Sequence, residues 1–354
     1  MSLRDYYVAN YSKCDVKYNF LASWKGVAYP SHLIQVIACP FQILTFYIII
    51  QKTPKNMKSV AWPLFLNHFL CAMLDVALCT LSTAYIFLPI SGIFGVGLLS
   101  WLGVPSIVQL IFGVIIAISA VCSYVYLFES RSSSLLQNRF RISRKSTRII
   151  YHRIIFFYNC AILLVFFKTP SDQEAAKLEA LTIYPCPTRE FFEFPVLIVL
   201  SDQKTAQFVT YIFIPSMFLQ TALNILFHVF CTVYYLYIAP SKSVSTETQK
   251  NQKSFLVGIF FQTCIPLVNI AAPIVILSVA HSLGFYSQEM MNLSAVFVGL
   301  HGLVESIAIV TVHHHYRKSV KRMFLNKFCK QHRSTVFVGT NDRGSNSLWS
   351  RGAI

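Results

Sequence analysis

Titratable residues inside long apolar stretches are costly in a membrane and mark functional positions. Four of them, in the predicted second and seventh spans, are His68, Asp75, His301 and Glu305. His68 and Asp75 are seven residues apart, and His301 and Glu305 are four apart, so each pair lies on one helix face. Asp75 and His301 lie roughly 18–22 Å from the same membrane face, and the other two lie roughly 10–12 Å from it. If the two helices are neighbours, Asp75 meets His301 and Glu305 meets His68, forming two acid–histidine pairs. Separate polar residues solvated by internal water are the alternative.

A further acid and base, Glu129 and Arg131, stand in the run Phe128-Glu129-Ser130-Arg131 at the predicted inner end of another helix. Glu129 is the only acid beside a loop with six basic residues. The spacing predicts a local ion pair that restrains Arg131 until a conformational change frees it. A chance juxtaposition of interfacial charges is the alternative.

The composition indicates a membrane protein. Of 354 residues, 55% are hydrophobic and only 12% are charged, against about 25% charged residues in soluble domains. Apolar runs of about 20 residues recur along the chain, and each is long enough to cross a bilayer as a helix. The predicted spans are 31–51, 60–88, 102–128, 149–168, 206–238, 254–280 and 291–313. The predicted fold is therefore an all-α bundle of seven transmembrane helices.

The distribution of Lys and Arg orients this bundle. One side has three in the first loop, six in the second, three in the third and nine in the tail, 21 in all, whereas the other side has 8. The basic side is cytoplasmic, so the N-terminus is predicted outside, as in G-protein-coupled receptors. The net charge of +16 follows from this bias, and no nucleic-acid partner is predicted. The domains are an extracellular segment 1–30, a membrane domain 31–313, a cytoplasmic helix 314–330 and a disordered tail 331–354.

Two cysteines, Cys14 and Cys186, are predicted on the oxidising outer side, where they can form a disulfide. Two free thiols are the alternative. Asn10 begins a glycosylation sequon on the same side. In the cytoplasmic segment 314–330, apolar and basic residues occupy different faces of a helix, which predicts contact with membrane lipids. Cys329 is a candidate lipidation site in this segment.

Enzyme motifs are missing from the sequence: it has no HExxH, Walker A or intramembrane GxGD motif, and we predict no enzyme activity and no cofactor. The run His313-His314-His315 is a poor metal site because consecutive helical residues point in different directions. A ligand pocket is predicted among the outer halves of spans three, five, six and seven. Its candidate polar residues, each of which ordinary interhelical hydrogen bonding would also explain, are Gln109, Tyr211, Gln220 and Asn269. A transporter or scramblase and a ligand-gated channel are the alternatives to a receptor.

Several short motifs resemble the nematode serpentine chemoreceptors, most closely class H, with class I as the alternative. They are the run KTPKNMKSV at 52–60, His68, Leu74-Asp75, the run FESR at 128–131, Gln262, Ile265-Pro266, Pro273, His301-Gly302 and Tyr316-Arg317. The sequence departs from the family pattern where Asn67 precedes His68, where Leu70 replaces a common tryptophan, and where Ser130 replaces an asparagine. Glu305 is not part of the family pattern.

This resemblance covers residues from about 30 to 320 and implies a function. A member of this family would be a chemosensory G-protein-coupled receptor in the plasma membrane of a sensory cilium. It would bind a small or volatile ligand from outside and activate a heterotrimeric G protein. Glu129 and Arg131 would then form the switch that controls coupling.

Overall fold

The computed structural model describes residues 2–53, 58–240, 246–312 and 316–323. Helices dominate these ranges. They are α1 (Leu3–Ala9), α2 (Trp24–Lys52), α3 (Lys58–Val76), α4 (Leu98–Trp101), α5 (Ser106–Ser133), α6 (Lys145–Cys160), α7 (Gln173–Ile183), α8 (Glu190–Glu193), α9 (Gln203–Phe208), α10 (Ile214–Val233), α11 (Thr246–Ser282), α12 (Gln288–Gly299) and α13 (His301–Val312). Residues 316–323 are also helical.

Six helical stretches within the described residues are long and apolar enough to span a membrane: 24–52, 61–81, 106–133, 145–168, 203–238 and 288–312. Short segments of 3-10 or π-helix, five to eight residues long, extend α3, α6 and α10 without interrupting them. The helix α11 has two shorter apolar stretches, Gln252–Phe261 and Val268–Ser282, and stands at the place of the predicted sixth span. The prediction of an all-α bundle of seven helices is confirmed.

Several boundaries differ from the prediction by a few residues, and two of them shape the outer end of the bundle. The first span begins at Trp24 and not at residue 31. The second ends at Leu81, so the prediction of helix up to residue 88 is wrong. Thr83 has a positive φ of 43°, which a β-branched residue adopts only at strain, and the chain turns there. Residues 84–87 (AYIF) then form a strand, because aromatic and β-branched residues favour extended backbone and hydrophobicity alone does not separate a strand from a helix.

A small antiparallel sheet covers the outer end of the bundle. Its strands β1 (Ala84–Phe87), β2 (Gly92–Gly95) and β3 (Leu197–Ile198) lie in that order. Tyr85 pairs with Phe94, and both rings are fully buried in a core that includes Phe191. The two loops that meet in this sheet therefore have a hydrophobic core of their own outside the membrane-spanning part.

A disulfide between Cys14 and Cys186 attaches the N-terminal segment to this outer layer. Beside it, the Tyr11 hydroxyl donates to the Pro187 carbonyl at 2.9 Å, and burial raises the pKa of Tyr11 to about 12. Asn10 is exposed next to this contact. The segment before the first span is thus bonded across the mouth of the bundle, and the disulfide prediction is confirmed.

Candidate functional site

A buried polar cluster joins α2, α3 and α13 within the membrane-spanning part. Asp75 Oδ1 lies 2.9 Å from His301 Nδ1, and Asp75 Oδ2 accepts a hydrogen bond of 2.8 Å from Gln42 Nε2. His301 Nδ1 also lies 2.9 Å from the Val298 carbonyl, where α12 gives way to α13. Asp75 and His301 are each 1% exposed. The carboxylate therefore holds the first, second and last spans together.

The second acid–histidine pair lies deeper toward the inner side. His68 Nδ1 is 3.6 Å from Glu305 Oε2, and both side chains are fully buried. The His68 ring also packs on Phe46, with 4.7 Å between ring centres. The structure thus brings together both of the pairs that the sequence spacing predicts, because α3 and α13 are neighbours in the bundle.

A glycine allows α13 to approach this closely. A Cβ atom on Gly302 would stand 1.5 Å from Asp75 Oδ2 and 2.5 Å from Asp75 Cγ. The carboxylate occupies the volume that any larger residue would need. The Asp75–His301 contact therefore requires glycine at position 302, the residue that follows His301 on α13.

At the inner end of α5, Glu129 is fully buried but does not pair with Arg131. Among the described residues, its carboxylate forms an ion pair with Arg148, at 2.6 Å to Nε, and lies 3.2 Å from His152 Nε2. Ser133 donates a hydrogen bond to its other oxygen. The prediction of a local Glu129–Arg131 pair is wrong, because residues two apart on a helix do not face each other. Glu129 instead connects α5 to α6.

Arg131 is 4% exposed and points to a different helix. Its Nη2 donates to the Gln252 carbonyl of α11 at 3.0 Å. The inner end of α5 thus contacts α6 through Glu129 and α11 through Arg131. Two residues on one helix turn, Glu129 and Arg131, therefore connect three helices where the bundle meets the cytoplasm.

At the other end of α5, Gln109 borders an outer cavity of about 700 Å³. Its Nε2 donates to Ser100 Oγ at 3.0 Å and to the Val104 carbonyl at 2.8 Å. Aromatic walls come from Trp24, Trp101 and Phe194. The remaining polar lining residues are Ser100, Ser106, Gln173 and Lys177. Burial lowers the pKa of Lys177, and among the described residues this lysine is the one charged group in the lining.

The other predicted pocket residues are not brought to this cavity. Tyr211, which is 48% exposed, lines a separate cavity of about 170 Å³ near His281. Gln220 and Asn269 line neither of these two cavities. Asn269 is buried, and the Gln220 carbonyl accepts a hydrogen bond from Asn224. The four candidates therefore do not share a single site, because Gln109 lines the first cavity and Tyr211 lines the second.

The sequence profile of the family described as "Serpentine type 7TM GPCR chemoreceptor Srh" matches residues 22–326. The chain belongs to the Srh family. It is 33% identical over 326 residues to "Serpentine receptor class H-72" of Caenorhabditis elegans, an alignment that covers 92% of this chain and 93% of that receptor. The prediction of class H is confirmed, and the protein is a multi-pass chemoreceptor of the GPCR type.

The sequence did not predict three residues that form the buried contacts of this Srh chain: Gln42, Arg148 and His152. Gln42 gave a usable signal, because a polar side chain inside an apolar span faces the bundle interior. Nothing in the sequence distinguishes Arg148, since it is one of six basic residues in the same loop.

Cys329 and the tail 331–354 lie outside the described residues, as does most of the predicted cytoplasmic helix. Within 316–323, Val320 and Met323 pack against the inner core of this Srh fold.

Proposed function

We propose that this protein binds a small or volatile ligand from outside and activates a heterotrimeric G protein from the plasma membrane, in a sensory cilium. The observation that carries the proposal is that a single helix contributes to both ends of the bundle. The 28-residue helix α5 borders the outer cavity at Gln109 and forms the inner contacts at Glu129 and Arg131. Gln109 and Arg131 are about 33 Å apart along its axis.

The outer cavity suits a small ligand. Its volume of about 700 Å³ falls in the range of small-molecule sites, which combine apolar walls with a few polar groups. Gly95 borders it, and a Cβ there would lie 2.4 Å from Gln109 Oε1. A ligand that displaces this tight contact therefore acts directly on the first turn of α5. Of the four predicted pocket residues, Gln109 is the one with this position.

At the inner end, the contacts of Glu129 and Arg131 favour the closed arrangement of α5, α6 and α11. Separation of these helix ends breaks the Arg131–Gln252 hydrogen bond and exposes a guanidinium that can meet backbone carbonyls or carboxylates of a G protein. A ligand activates the receptor in this scheme by favouring the separated arrangement over the closed one. We therefore propose Arg131 as the residue that couples to the G protein, and Glu129 as the residue that holds α5 against α6 in the closed arrangement.

A ligand screen with nucleotide exchange on a heterotrimeric G protein as readout tests this function. We expect at least one small volatile compound to raise exchange. Arg131→Ala should then reduce the stimulated exchange while binding of that compound is retained. Ser106→Trp, which fills the outer cavity, should abolish the response. Ser171→Trp, on an exposed outer position that does not line the cavity, is the matched control and should respond normally.

The same measurements separate the receptor from its alternatives. Ligand-dependent current in cells without the G protein would indicate a channel, and net flux of the compound would indicate a transporter. Either result without nucleotide exchange contradicts the proposed function.

A further inference from the structure

A groove of about 800 Å³ runs along the outside of the bundle between α3, α5 and α6. It is separate from the outer cavity and from the buried acid–histidine pairs. Its apolar lining residues include Leu66, Leu70, Ile149, Phe156 and Phe157. Phe157 is 67% exposed, so this surface faces lipid and not the interior of the bundle.

One end of the groove is basic. Lys145, Arg148 and Arg153 line it, and the described lining residues contain no acid. On α6, Lys145, Arg148 and His152 follow at separations of three and four residues, so they lie on one face of the helix. Arg153 comes next along the chain and lines the edge of the groove. Lys145 and Arg153 are exposed. Arg153 stands about 12 Å from the start of α6, where a long basic side chain reaches the headgroup level by extending along the helix.

Arg148 connects this basic end to the switch region. Its Nε is bonded to buried Glu129, and its guanidinium lies over the Tyr126 ring at 5.3 Å. Its Nη2 atom is buried and has no hydrogen-bond partner among the described residues. One edge of the guanidinium is therefore occupied by the carboxylate, while a second donor, the buried Nη2, lacks an acceptor among the described residues. A phosphate oxygen would satisfy it, since a guanidinium can bind two oxyanions through different N–H groups.

We propose that the groove binds one anionic phospholipid of the inner leaflet. Its acyl chain lies along Leu70 and Phe156, and its phosphate contacts Arg148 between Lys145 and Arg153. The charge count places this end of the bundle on the cytoplasmic side, where anionic lipids are concentrated and basic pockets between helices bind their headgroups. The phosphate then extends the Glu129–Arg148 contact and strengthens the connection between α5 and α6.

The basic end and the apolar length of the groove together favour an anionic phospholipid over other ligands. An uncharged sterol would fill the apolar part and leave the basic end without a counterion. A free soluble anion would not use the apolar length of the groove. The combination of three basic residues with a lipid-facing apolar channel requires a molecule that has both parts.

Native mass spectrometry of the purified full-length receptor tests the site, with phosphatidylserine and phosphatidylcholine as competing lipids. We expect phosphatidylserine to be retained preferentially. Lys145→Gln combined with Arg153→Gln should weaken its retention roughly 10- to 30-fold, because each basic residue near the headgroup contributes about fivefold. Arg139→Gln combined with Arg144→Gln removes the same charge from exposed positions outside the groove and is the matched control. It should change retention by less than about twofold.

A second variant tests the apolar part without changing charge. Leu70→Trp fills the groove and should also weaken retention of phosphatidylserine, while the melting temperature of the lipid-free protein shows that the variant is folded. Equal loss in the two charge variants would mean diffuse attraction to the basic surface and would overturn the proposal. Equal retention of phosphatidylcholine, or full retention of phosphatidylserine by folded Leu70→Trp, would overturn it as well.

Discussion

Arg148 Nε lies 2.6 Å from Glu129 Oε2, and the carboxylate is completely buried while the arginine is 30% exposed. This ion pair connects the inner ends of α5 and α6. Because Glu129 is not bonded to Arg131, the acid and the proposed coupling residue restrain different pairs of helices. The closed arrangement at the cytoplasmic end therefore depends on two separable contacts.

Breaking the Glu129–Arg148 pair should raise basal signalling. Glu129→Gln and Arg148→Gln each remove the same contact, and a shift of about 1 kcal/mol toward the open arrangement raises its population roughly fivefold. The double variant should raise basal signalling by less than the sum of the two single effects, since both substitutions remove the Glu129–Arg148 contact. Basal nucleotide exchange at matched surface levels measures this, with Arg144→Gln as the charge control. Additive effects of the two substitutions would contradict a shared pair.

The outer disulfide should be necessary for efficient folding. Cys14→Ser and Cys186→Ser each release the N-terminal segment, and loss of such a bond typically costs about 2–5 kcal/mol. Surface expression should fall in each variant, and the double variant should be no worse than either. Cys39→Ser, at an exposed free cysteine, is the control and should express normally. Alkylation of both outer thiols in native membranes would show that the bond does not form there.

The orientation rests on the charge count of 21 basic residues against 8. We expect an epitope at residue 2 to bind antibody on intact cells and an epitope at residue 354 to bind only after permeabilisation. The orientation of the two termini is measured by labelling each epitope before and after permeabilisation, with a cytosolic marker as the control. The reverse pattern would contradict the receptor topology and, with it, the assignment of the lipid-facing groove to the inner leaflet.

Apolar runs and helical spacing predicted the number of spans and the facing of Asp75 toward His301, because both depend on periodicities that the sequence records directly. They did not predict the outer sheet. Residues 84–87 are as apolar as the span before them, and the turn at Thr83 depends on tertiary contacts. The pairing of β2 with β3 joins residues about 100 positions apart, which no local pattern indicates.

The contacts at the inner end of α5 were also only partly predictable from the sequence. The position of Glu129 at a helix end was predictable, but its partner was not. Six basic residues follow within 20 positions, and the packing of α6 on α5 selects Arg148 from among them. Arg131 points away because a separation of two residues places side chains on different sides of a helix. Sequence spacing therefore predicts a partner when one candidate lies at the matching depth, as for Asp75, but not when six basic residues follow in one loop.

Gly302 and Asp75 should be coupled through direct contact. A Cβ on residue 302 would stand 1.5 Å from Asp75 Oδ2, so Gly302→Ala should lower the free energy of unfolding by about 1–3 kcal/mol, as overpacking does. Gly113→Ala is the matched control, since a Cβ there meets no atom within 4 Å, and it should leave stability unchanged or slightly raised. The melting temperature of purified protein in one detergent measures both.

A double-mutant cycle separates this steric contact from a general intolerance of α13. Asp75→Ala removes the carboxylate that Gln42 and His301 contact, so it should destabilise the protein by itself. In that background the added methyl group of Gly302→Ala has room, and the substitution should cost little or nothing. The interaction energy is then the difference between the two costs of Gly302→Ala. An equal cost in both backgrounds would mean that the carboxylate does not occupy this volume, and the close approach of α3 to α13 at Asp75 would be wrong.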